Sequence, residues 1–165
     1  MPHAHSISDA QTRIANLYSD TTFAAAGSVW LEALVDHLRR LRTREGPVLN
    51  WHEPEHNIAE AARGLGHEGH PPDSLDRWLP DFSKLVHQML SRGQNLHHPR
   101  YLGHQVPASV PIAALFDAVG AATNQVMAIY EMGPWATAVE RALIAQIGAE
   151  VGYPAGSFGG LVTHG

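Results

Sequence analysis

The stretch from Asn95 to Gly165 limits the fold more than any other. An aromatic and histidine-rich loop, NLHHPRYLGHQVPAS, leads into two long amphipathic segments and then a glycine-bracketed apolar run, GGLVTHG. Ser109 and Pro111 mark a helix start, and Ile112, Leu115, Phe116, Val119, Val126 and Met127 continue one apolar stripe to about Ala128. Pro134 stands where a first-turn proline is tolerated. Val139, Leu143, Ile144, Ile147 and Val151 line the helix it opens, until Gly152 and Tyr153-Pro154 end it. Small residues fill much of the first of these helices: Ala113, Ala114, Ala118, Gly120, Ala121 and Ala122 would let a helix or sheet approach closely, which predicts burial on more than one side. Gly159 to Gly165 reads as a short buried strand leaving into a glycine turn.

Upstream, helical spacing recurs. The first 27 residues are polar and alanine-rich with weak periodicity, and read as an arm that a partner surface would order. From Ser28 the pattern sharpens: Trp30, Leu31, Leu34, Val35, Leu38 and Leu41 share a face, Ser28 can cap the first amides, Glu32 suits the first turn and Arg39 to Arg44 the last. Gly46-Pro47 stops that helix. A short helix is predicted from about Pro54 to Arg63, followed by the loop GLGHEGHPP. Helix resumes near Ser74, where Leu75, Trp78, Leu79, Phe82, Leu85, Val86, Met89 and Leu90 form an apolar face. Pro80 either kinks it or begins a second helix, and Gly93 supplies the stop.

A chain of 165 residues can bury roughly 70% of its unfolded surface, so one domain with a real core is expected, and the helical spacing makes it mostly α. A net charge of −5 with only 11 Lys and Arg argues against a nucleic-acid groove, which needs basic residues clustered on one face. The absence of cysteine excludes disulfides and thiolate metal sites. Neither a secretory start nor an apolar run of membrane-spanning length occurs, so a cytoplasmic protein with no membrane partner is expected.

Two strings invite over-reading. His52-Glu53-Pro54-Glu55-His56 matches H-E-x-x-H, which binds zinc only when helical spacing aligns both histidines; a proline between them breaks that helix, or begins it after His52. Gly64-Leu65-Gly66-His67-Glu68-Gly69 matches G-x-G-x-x-G, yet a dinucleotide fingerprint must follow a strand, and here it follows the helical AEAAR. His97-His98 and His3-x-His5 read as loop and terminal histidines, Glu131 and Glu140 as surface carboxylates, and no metal site is expected. Composition and spacing alone support a helical domain with a concave aromatic and histidine loop, and no reaction.

At His98-Pro99-Arg100-Tyr101-Leu102-Gly103-His104 the sequence resembles the group II pyridoxal-phosphate-dependent amino-acid decarboxylases. The likeness continues through Pro111, Asp117, Asn124-Gln125, Tyr130-Glu131-Met132-Gly133-Pro134, Thr137, Glu140 and Tyr153-Pro154, and closes on Gly159 to Gly165. It implies an N-terminal helical arm and dimerisation segment over residues 1–92, with residues 93–165 opening the large cofactor-binding domain of the α/β fold-type I architecture: the first helices and one strand. It further implies a substrate-pocket wall of His98, Pro99 and Tyr101, with His104 and Gln105 behind and Tyr130 approaching across a homodimer interface. Thr163, His164 and Gly165 would begin the turn that holds the phosphate of pyridoxal 5'-phosphate, a role that free amides at a helix start suit.

The family's ring-stacking histidine, pyridine-binding aspartate and imine-forming lysine have no counterpart here. Lys84 is the only lysine and matches none of them. The resemblance therefore implies the N-terminal part of an amino-acid decarboxylase, with no catalytic residue of its own, inactive alone and completed by the remainder of the enzyme as a missing C-terminal part or a second chain. The alternative is a non-catalytic helical dimerisation or interaction module.

Overall fold

The computed structural model describes residues 7–65, 75–103, 105–157 and 159. They form α1 (Ile7–Leu17), α2 (Asp20–Arg42), α3 (Pro54–Leu65), α4 (Leu75–Arg92), α5 (Ala113–Thr123), a 3-10 turn (Tyr130–Met132) and α6 (Pro134–Glu150). The chain is mostly helical, as the apolar spacing predicts, and no strand occurs among the described residues. The strand expected over Gly159 to Gly165 lies outside them, apart from Gly159. None of the described helices is long and apolar enough to cross a membrane.

Three helix limits differ from expectation. The predicted arm is already helical from Ile7, and α2 begins at Asp20 rather than Ser28. Ser19 is extended (φ −74°, ψ 132°), its Oγ accepts the Thr22 amide at 3.4 Å, and Asp20 occupies the first turn. The run Ala24-Ala25-Ala26 carries no apolar stripe to detect, yet alanine is the strongest helix former. Ser28 falls inside the helix, where its hydroxyl donates to the Ala24 carbonyl at 3.0 Å. Downstream, α5 stops at Thr123 because Asn124 turns left-handed (φ 45°) and donates its amide to Gly120 O, a conformation asparagine tolerates. Pro80 neither splits nor ends α4, which runs through it.

Contacts divide the chain into two compact units, residues 1–109 and 110–165. In the first, α2 packs mainly on α4, and Ala33, Leu41 and Val86 are the buried apolar residues. Trp78 and Phe82 stack with ring centroids 5.0 Å apart along α4, and Arg92 reaches Glu60 to tie α4 to α3. In the second unit α6 contacts the 3-10 turn, and its only buried described residues are Gly133 and Gly148. Every residue from Pro111 to Gln125 is exposed, so the burial predicted for the small-residue face of α5 is not seen among the described residues.

Pro80 supplies no amide hydrogen to the sixth position of α4. Pro80→Ala should raise the thermal midpoint, with up to about 3 kcal/mol of helix propensity available, measured by circular dichroism.

Candidate functional site

The loop that leaves α4 is shaped by two asparagines. Asn50 reaches the end of α4 and donates its side-chain amide to Ser91 O at 2.9 Å and Gly93 O at 2.7 Å, satisfying carbonyls that a helix end leaves open. Its own N–H meets Gln94 Oε1 at 3.3 Å. Asn95, only 5% exposed, returns the contact: its amide donates to Val48 O at 3.3 Å and its side chain to Pro47 O. Residues 47–50 are thereby laced along residues 91–95. Asn95 Oδ1 is buried with no protein partner.

Two successive tight turns follow. The amide of His98 donates to Asn95 O at 3.0 Å and that of Tyr101 to His98 O at 2.9 Å. His98 is 4% exposed, and its Nδ1 accepts the Arg100 amide at 3.1 Å, which leaves the proton of the neutral ring on Nε2. Tyr101 is half-buried and folds over Gly103 so closely that a Cβ there would stand 2.3 Å from Tyr101 Cζ. Glycine at 103 is what permits this aromatic placement. Farther on, His97 Nε2 lies 2.7 Å from Ser109 O.

The structure thus brings His98, Pro99 and Tyr101 into one loop: a buried imidazole, an exposed proline and a half-buried phenol. Gln105 is exposed on the same unit, while Tyr130 belongs to the second unit, in the 3-10 turn and 60% exposed. His104, Thr163, His164 and Gly165 lie outside the described residues. Asn50 and Asn95 escaped the sequence reading. Asparagines flanking a helix end were the available signal, but their pairing spans more than 40 residues of chain.

On the electrostatic side, His37 of α2 has its pKa lowered from 6.5, first by burial, then by His97 and Arg40, with Asp36 opposing. His52 lies before α3, as a helix starting at Pro54 requires. Its ring stacks on His56 at 5.2 Å, and His56 Nε2 is 3.4 Å from Glu60. No group of three or more metal-ligating side chains stands together among the described residues.

Pyridoxal phosphate would need a phosphate cradle, a partner for its ring nitrogen and a lysine. Lys84 is exposed on α4, eleven residues before the loop begins at Asn95, and makes no ion pair among the described residues. The described residues alone do not fit the cofactor. Comparisons with protein-family models, with curated proteins and with solved structures gave no match.

Asn50→Ala removes two hydrogen bonds to the end of α4 and should cost about 1–3 kcal/mol in a chemical denaturation series. Gly103→Ala should re-aim the Tyr101 ring, read as a loss of its nuclear Overhauser contacts to residue 103, with α-helical content unchanged. The lowered pKa of His37 means the unfolded chain binds this proton more readily than the folded one. Its contribution to stability is therefore complete above pH 6.5 and is lost as pH falls through the lowered folded value. In His37→Gln, the acid side of the stability profile should flatten across that window.

Proposed function

We propose that this chain is the N-terminal part of a pyridoxal-phosphate-dependent amino-acid decarboxylase, releasing an amine and carbon dioxide in the cytoplasm once joined to the remainder of the enzyme. The reading rests on the linked series from His98-Pro99-Arg100-Tyr101 through Tyr130-Glu131-Met132-Gly133-Pro134 to the terminal glycine run, in the order that the family's pattern has. The observation that carries it furthest is the loop geometry: buried His98 fixes the turn through its Nδ1, and half-buried Tyr101, laid over Gly103, offers an aromatic surface suited to one wall of a small-molecule pocket. His98 and Tyr101 would orient the amino acid and keep water from it, with Pro99, His104, Gln105 and Tyr130 completing the wall. Thr163, His164 and Gly165 would begin the phosphate turn. The electron sink and imine-forming lysine would come from the rest of a fold-type I enzyme, whose first helices this chain supplies.

Exposed apolar side chains favour a partner: Phe116 of α5 and Trp135 of α6 are 74% and 76% exposed. That surface also favours the second reading, a non-catalytic helical dimerisation module, which needs the apolar faces and not the loop.

Two measurements separate these. Treated with pyridoxal phosphate and borohydride, the isolated chain should form no adduct on Lys84 by mass spectrometry; a stoichiometric adduct there would overturn the division of labour proposed. In the assembled enzyme, Tyr101→Ala should raise KM for the amino acid by roughly tenfold while preserving assembly. An interaction module would show no change in turnover with the same variant.

A further inference from the structure

A cleft of about 480 Å³ runs between α2 and α4, inside the first unit, with Asn50 and Asn95 of the lacing described above at its edge. From α2 it is lined by Ala33, Asp36, His37, Arg40 and Leu41, and from α4 by Lys84, His87, Gln88 and Ser91; each set follows the three-and-four spacing of one helix face. Packed helices ordinarily turn apolar stripes towards each other. Here Ala33, Leu41 and Val86 are buried, and polar side chains of both helices edge the cleft. Ala33, Leu41, Pro47 and Leu90 supply its apolar side chains.

The charges in the cleft are nearly all committed. Asp36 pairs with Arg39 at 3.0 Å, Glu45 with Arg40 at 3.5 Å, and Arg92 with Glu60. His87 gives its Nδ1 to Ser83 O at 2.8 Å. One cation remains: Lys84 has no ion pair among the described residues, in a chain whose net charge is −5.

From this we infer that the α2–α4 cleft binds a small organic monocarboxylate, its charged end on the Lys84 ammonium and its apolar body along Ala33, Leu41 and Leu90. A single uncommitted cation matches a single negative charge. A phosphate dianion would draw on Arg40 and Arg92, which Glu45 and Glu60 already occupy. The volume lies within the range of small-molecule pockets. This assignment stands apart from the decarboxylase reading, since it uses none of His98, Pro99 and Tyr101 and requires no cofactor.

Hexanoate serves as the probe. Added to the 165-residue chain, it should shift the side-chain resonances of His37 and His87 saturably, and Lys84→Gln should weaken its affinity about fivefold, the scale of one exposed ion pair. Lys84→Arg should retain binding, and circular dichroism should show both variants folded. Equal affinity in Lys84→Gln overturns the assignment. So does hexylammonium binding as well as hexanoate, which would mark an apolar groove only, or inorganic phosphate competing equally with hexanoate, which would mark a general anion surface.

Discussion

A helix whose large side chains are apolar gains its stability from hiding them, and the large apolar side chains of α5 and α6 stand mostly exposed among the described residues. Phe116 and Trp135 are about three-quarters exposed, and Ile112, Val119, Ile147 and Val151 more than half. Helices of 11 and 17 residues are marginal in water on propensity alone. Their persistence therefore depends on covering those faces, at roughly 25 cal/mol for each Å² of apolar area removed from water. The alanines and Gly120 of α5 fit the same requirement, because a face of small side chains brings a neighbour's backbone within dispersion range.

The first unit meets its constraint differently, through polar cross-links. Its buried apolar set is small, and what fixes the segment after α4 is the exchange between Pro47, Val48 and Asn50 on one side and Ser91, Gly93 and Asn95 on the other. Each such hydrogen bond is worth about 0.5–1.5 kcal/mol net. Their greater effect is on geometry, because they set the start of the turns that bury His98 and place Tyr101 over Gly103. The unpaired Asn95 Oδ1 is the cost of holding that corner closed.

How legible this was in the sequence follows from the range of each interaction. α3, α4 and α6 could be read with nearly their observed limits, because Pro54, Gly93, Pro134 and Gly152 punctuate them locally. The start of α2 was hidden because Ala24 to Ala26 favour helix without marking a face, and the end of α5 because αL at Asn124 depends on one side chain. The asparagine lacing was invisible, since nothing local in Asn50 announces a partner more than 40 residues away. The loop His98 to Tyr101 was legible as a motif, but the burial of its histidine and the role of Gly103 beneath the tyrosine emerge only from the fold.

Burial also weighs the two functional readings. An interaction module needs exposed apolar helices and places no demand on a histidine at a turn. Burying His98 at 4% exposure and spending its Nδ1 on the Arg100 amide adds nothing to a docking face. It does add rigidity to the adjoining Tyr101, and a rigid aromatic beside a fixed imidazole suits recognition of a small molecule better than adhesion between helices. The exposed faces of α5 and α6 are compatible with either reading. The fixed loop thus suits a small-molecule wall, and the exposed helices suit a docking face.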